Sequence, residues 1–129
     1  MMRYNSKYYN IKTRTSDGLV FDSTKEARRW EQLLMLQKAG KIASLQRQVK
    51  YELLPAQYET YERFSKKGKK LKDGHRLVER KVEYVADFTY TDTETGQNVV
   101  EDAKGMRTKD YVIKRKLMFA VHGIRIKEV

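Results

Sequence analysis

Apolar and polar residues recur along this chain in two rhythms, and the changes of rhythm mark out its elements. Between Tyr8 and Phe21, two short extended pieces flank Ser16-Asp17-Gly18, whose Asp-Gly pair is a hairpin-turn signal. Ser23-Thr24-Lys25-Glu26 then makes a capping box, with Ser at the N-cap and Glu three residues on. Ala27, Trp30, Leu33, Leu34 and Gln37 follow at three- and four-residue steps, which predicts a helix with one core-facing side, closed by Gly40. From Ile42 and Leu45 the period becomes two. Val49, Tyr51 and Leu53 fall on one side of a strand, and Gln48, Lys50 and Glu52 on the other. Pro55, the only proline, ends it.

Residues 56–62 read as a second extended or irregular piece with Tyr58 and Tyr61 as anchors. Residues 63–76, RFSKKGKKLKDGHR, read as an exposed basic loop or hairpin tip. A strand is then predicted from Leu77 to Tyr90, with Val82, Tyr84, Ala86, Phe88 and Tyr90 alternating against Glu83, Val85, Asp87 and Thr89. Asp92 to Gln97 is a polar turn and Asn98 to Lys104 another strand. Thr108 caps a second helix carrying Val112, Ile113, Leu117, Ala120 and Val121, Gly123 closes it, and Ile124 and Ile126 alternate in a short last strand. No internal repeat or linker interrupts this order. It predicts one domain spanning 1–129, an α/β fold in which helices flank a mixed β-sheet.

Charge sharpens the picture. Twenty-eight Lys and Arg against 17 Asp and Glu give a net charge of +11, a field that attracts polyanions, and nucleic acid is the expected one. A membrane partner is not expected: no basic amphipathic helix with a lipid-facing side is legible and no apolar run approaches the roughly 20 residues of a span. The opening MMRYNSKYYN lacks the apolar run of a secretory signal, and the absence of cysteine removes disulfides and thiolate metal sites. A cytoplasmic location is the expectation.

The chemistry-bearing run is Val99-Val100-Glu101-Asp102-Ala103-Lys104-Gly105. Residues two apart in a strand share a side, so Asp102 and Lys104 point together and Glu101 points away. Asp87 lies on the preceding strand of the same hairpin. Two nearby carboxylates repel unless a divalent cation sits between them. A hard ion such as Mg²⁺ takes oxygen ligands and keeps waters, and a lysine beside it can orient a water and offset phosphate charge. Solvated strand faces also produce an Asp-x-Lys triplet by chance. The acid on the neighbouring strand and the basic chain favour chemistry.

FDSTKEARRWEQL, KAGKIASLQRQVKYEL, VEYVADFTY, VVEDAKG, a Lys-rich helix and GIRIKEV, in this order, resemble the PD-(D/E)xK nucleases. More narrowly, the chain looks like the phage and prophage endonucleases catalogued as a domain of unknown function and akin to Holliday-junction-resolving enzymes. The resemblance covers about Tyr8 to Val129 and omits the basic loop. It implies a restriction-endonuclease-like mixed sheet flanked by helices, Mg²⁺-dependent cleavage of DNA with Mn²⁺ able to substitute, and a phage- or prophage-encoded protein acting in a bacterial cytoplasm. It places the first acid at Glu26, the central acid at Asp87 and the acid-x-Lys at Asp102 and Lys104, with Glu26, Asp87 and Asp102 as metal ligands. Two departures stand out: Ala86 replaces the proline before Asp87, and Asp102 is one methylene shorter than the commoner Glu. Enzymes that cut branched DNA are usually homodimers, so a homodimer is implied by analogy.

The remaining candidates have a plainer alternative. Glu26 also completes a capping box, Glu31 is a reserve acid, and Gln48 matches a family-like position on a solvent-facing side. Lys66, Lys67, Lys69, Lys70, Lys72 and Arg76 in the basic loop, and Lys114 and Lys116 on the second helix, suit phosphate contacts or simple solvation. His75 and His122 are isolated and lack metal-ligand spacing. The alternative to a nuclease is a non-catalytic nucleic-acid-binding module of the same fold.

Overall fold

A computed structural model describes residues 12–103 and 106–129. The start of the first extended piece and the segment Lys104-Gly105 lie outside the described residues. The first hairpin is short: β1 (Thr13–Arg14) pairs antiparallel with β2 (Val20–Phe21). Glu31, the reserve acid, accepts hydrogen bonds from the Ser16 backbone N–H and from its hydroxyl at 2.8 Å, which ties this hairpin to the following helix. That helix, α1 (Thr24–Lys38), starts as the capping box requires, with the Glu26 N–H donating to Ser23 Oγ at 3.1 Å. It buries Ala27, Trp30 and Leu33.

Next comes β3 (Ile42–Leu54), which carries an extra residue after Ala43, where Ser44 has φ 56° and the pairing slips by one. The amide this bulge frees at Leu45 donates to Gln37 Oε1 at 2.9 Å. Gln37, exposed near the end of α1, thus ties the helix to the bulge through a hydrogen bond.

The stretch after Pro55 departs most from expectation. Instead of an irregular piece and a loop, β4 (Gln57–Phe64) and β5 (Lys70–Glu79) form a two-stranded antiparallel ribbon with its turn at 65–69. The predicted strand from Leu77 to Tyr90 is thus two strands, because Arg80-Lys81 separates β5 from β6 (Val82–Asp92). Pro55-Ala56 breaks the other strand beside it. The ladder itself passes this joint, running from Leu54 opposite Val82 to Gln57 opposite Glu79. Gly74 in this arm lets the Tyr61 ring lie against its backbone, since an added Cβ would sit 2.3 Å from the Tyr61 Cζ. Arg76 covers the same ring at 4.7 Å.

β7 (Asn98–Asp102) pairs antiparallel with β6, and α2 (Lys109–His122) crosses over to β8 (Lys127–Glu128), which pairs parallel with β7. Thr108 caps α2 by accepting from the Tyr111 N–H at 3.1 Å, and Gly123 ends it with φ 68°. The last strand falls on Lys127–Glu128 rather than on Ile124 and Ile126, whose side chains are drawn half-buried against α2's core. The main sheet has the order β3-β6-β7-β8 and is mixed, with helices packed on it: an α/β fold, as the residue pattern predicted. Among the described residues no helix is long and apolar enough to cross a membrane.

Two cores hold the helices. Phe21, Ala27, Trp30, Leu33, Ile42, Phe88, Tyr90 and Ala103 gather around α1, with the Trp30 and Phe88 rings stacked at 5.7 Å. Leu53, Tyr84, Ala86, Val100, Tyr111 and Met118 gather around α2. Burying each large side chain stabilises by about 1.5–3 kcal/mol. The alternate positions of β6 are therefore shared between two cores: Tyr84 and Ala86 serve α2, while Phe88 and Tyr90 serve α1. The exchange occurs at Asp87. Across from it, between the Arg47–Phe88 and Val49–Ala86 pairs, Gln48 holds φ 56°, a left-handed conformation that is costly for a residue with a Cβ.

Candidate active site

The twist at Asp87 determines what β7 can offer. Glu101 and Asp102 are neighbours on one strand, so their side chains leave on opposite sides. Both are buried, at 0 % and 1 % exposed. Each is met by a tyrosine hydroxyl from β6: Tyr90 donates to Glu101 Oε2, and Tyr84 donates to Asp102 Oδ2 at 2.6 Å. In a regular strand Tyr84 and Tyr90 would reach only one side of β7. The exchange of sides between them lets β6 contact both.

On the α1 side the arrangement is a closed ion pair. Arg29 donates from Nε to Glu101 Oε1 at 2.7 Å and from its terminal nitrogen to Oε2 at 2.6 Å. The hydrogen bond to Glu101 outweighs burial and holds the Arg29 guanidinium above its ordinary pKa. Burial first, then the hydrogen bond to Glu101 and its charge, push the Tyr90 phenol up to about 12. Glu101 thus clamps β7 to α1, a role that strand parity indicated only as pointing away from Asp102.

On the other side lies the acid pair. Phe88 and Glu101 are the last pair of this ladder, and Asp87 and Asp102 are the next residues along each strand. β7 parts from β6 here while staying paired with β8, and Asp87 Oδ2 accepts the Ala103 N–H at 2.8 Å. Burial, the hydrogen bond to Asp102, and the charges of Asp102 and Asp87 together push the Tyr84 phenol far above its ordinary pKa. Of the two carboxylates, Asp102 is the one bonded to this hydroxyl. Tyr111 from α2 closes the group, with its ring centroid 6.5 Å from that of Tyr84, and burial followed by the Asp102 charge raises its pKa too. Neither tyrosine was singled out by sequence reasoning. Their strand and helix positions read as core, and only the pairing of their hydroxyls with carboxylates distinguishes them.

Other expected site residues are placed differently. Lys104, next but one after Asp102, lies outside the described residues. Glu26 stands half-buried in the first turn of α1, where its N–H makes the capping bond. Among the described residues, no group of three or more His, Cys, Asp or Glu is arranged to hold a metal ion. Asp87 and Asp102 therefore stand as a pair and not as part of a three-acid cage. Lys116 lines a cleft of about 520 Å³ with Arg115, Phe119, Arg125, Ile126 and Glu128, while Lys114 is half-buried on α2. In that cleft Arg125 stacks on Phe119 at 3.9 Å and Arg115 pairs with Glu128 at 3.1 Å. His122 anchors the end of α2, its Nε2 lying 2.7 Å from the Glu52 carbonyl and its ring edge-on to Tyr51. Lys66, Lys67, Lys69, Lys70, Lys72 and Arg76 all belong to the β4–β5 arm, where Lys70 and Arg76 are paired with Glu62 and Glu59.

A family model described as "Protein of unknown function (DUF1064)" matches residues 5–128. The chain belongs to the DUF1064 family. No curated protein and no solved structure matches it. The match takes in every element from β1 to β8, the arm included.

Proposed function

We propose that this DUF1064 protein is a metal-dependent DNA endonuclease of the PD-(D/E)xK kind. The observation that carries this reading is the approach of Asp87 and Asp102 where β7 parts from β6: Asp87 accepts the amide next to Asp102, and Tyr84 donates to Asp102. Two carboxylates suit Mg²⁺ or Mn²⁺, which binds through one or two acids and keeps waters and substrate oxygens as its other ligands. When bound, such an ion supplies Lewis-acid stabilisation and an activated water. The chain's own residues prepare the place. The Ala103 amide fixes the Asp87 carboxylate, Tyr84 holds one oxygen of Asp102, and the Glu101–Arg29 pair holds β7 so that neither acid drifts. Lys104 follows immediately and is assigned to the scissile phosphate. Glu26 is assigned a supporting place by resemblance alone. The net charge of +11 draws DNA to this surface. Branched or structured DNA is the substrate class that accompanies the resemblance, together with a homodimer, because such substrates need two cuts.

A second reading, a non-catalytic nucleic-acid-binding module, is favoured by the depth of Asp102 at 1 % exposed and its engagement with Tyr84. A cleavage panel separates the two. Junction, flap, duplex and single-stranded DNA are incubated with Mg²⁺, with Mn²⁺ or with EDTA, using wild type and Asp102→Asn side by side. The nuclease reading expects cleavage that EDTA abolishes and that Asp102→Asn lowers by more than about 100-fold with folding retained. Binding without cleavage under every divalent ion establishes the module.

A further inference from the structure

The β4–β5 arm has no structural reason to exist on its own. Every residue of β4 is exposed, and in β5 only Gly74 is buried. Neither strand packs extensively on a helix or on the main sheet. The arm continues the β3–β6 ladder beyond Pro55, and neither helix covers it, so its faces are open to a partner. Its charge names the chemistry of that partner. Acids occur at Glu59, Glu62, Asp73 and Glu79, towards the base, while from Arg63 to Lys72 the distal end holds cations and no acid. Of these, Lys70 is paired with Glu62 at 3.8 Å. Lys66, Lys67, Lys69 and Lys72 have no acid within salt-bridge distance among the described residues.

We propose that the arm is a reach device. Its distal lysines hold phosphates of a DNA duplex beyond the part of that duplex covered by the body of the protein. The ten-residue β5 is about 30 Å long at roughly 3.3 Å per residue, which spans about nine base pairs of duplex. The arm thus lengthens the bound segment by close to one helical turn, adding affinity without reading sequence. This rests on DNA being the substrate, though not on its being cut.

The test is a binding experiment in EDTA, so that cleavage plays no part. Salt dependence and the number of base pairs occluded per protein on long duplex DNA are measured for wild type and for a tip variant with Lys66, Lys67, Lys69 and Lys72 all changed to Ser. Loss of four phosphate contacts at about 0.9 each is expected to flatten the slope of log K against log salt by about 3.6. The occluded length is expected to shrink by about nine base pairs. Because EDTA removes any cleavage, both measurements hold whether or not the protein cuts DNA. An unchanged slope or an unchanged occluded length in the tip variant overturns the proposal. So does a tip variant that binds DNA as wild type does but turns a dimer into a monomer in sedimentation, since the arm would then serve a second copy of the chain. The tip makes no core contact, so the variant should melt with wild type, and a matching melt confirms that it is folded.

Discussion

Removing Arg29 should reveal how much of the structure depends on one buried ion pair. Glu101 is wholly buried and receives two guanidinium hydrogen bonds at 2.6 and 2.7 Å, so Arg29→Ala leaves a carboxylate without its counter-charge inside the α1 core. Breaking such a pair from one side costs about 3–5 kcal/mol. Unfolding entropy near 2.1 cal/mol/K per residue over 129 residues is about 0.27 kcal/mol/K, so the melting temperature should fall by roughly 10–20 °C. Arg29→Lys retains the charge but loses the two-pronged geometry and should lose about half as much. The double variant Arg29→Met with Glu101→Leu should be more stable than Arg29→Ala, because two apolar side chains relieve the desolvation that one charge alone cannot. It will still fall short of wild type, as the Tyr90 hydroxyl loses its acceptor, at about 1–3 kcal/mol. Thermal and urea denaturation followed by circular dichroism measure all three. A loss below about 1 kcal/mol in Arg29→Ala would refute the reasoning.

Tyr90 makes a prediction about alkaline stability. Its folded pKa is raised to about 12 from 10, so below pH 10 both states are protonated and its contribution is complete. As pH rises from 10 towards 12 the unfolded chain releases a proton that the folded chain keeps, and about 2–3 kcal/mol is lost. Tyr90→Phe should lack this part of the decline, which is read as the difference between the two proteins' stability–pH curves over that window. Equal slopes would contradict the assignment. At the other helix, Thr108→Ala removes the acceptor of the Tyr111 N–H and should destabilise by about 1 kcal/mol, measured by urea denaturation, with Thr108→Ser close to neutral.

Much of this protein was legible in its residues, because the signals concerned are local. Ser23 and Thr108 cap the helices that their positions predicted, Gly123 ends α2 in the left-handed conformation, and the alternation along β6 marks its buried positions correctly. Strand parity separated Glu101 from Asp102, and the hairpin order placed Asp87 on the strand before it. What parity could not contain is the exchange at Asp87. A period of two holds Tyr84 and Tyr90 on one side, and only the twist opposite Gln48 lets one hydroxyl reach Asp102 while the other reaches Glu101. The arm was hidden for a related reason. A ribbon exposed on both faces has no buried side to impose a pattern, so its strands read as polar loop until pairing across the ladder defines them. Arg29 sits in a run of helix charges with nothing local to mark it, and its partner lies 72 residues away. The chain by itself thus determined both helices, their caps and most strands of the main sheet. The tertiary structure decided which buried carboxylate became a clamp and which joined a site, since that depends on the neighbours that folding brings to each side of β7.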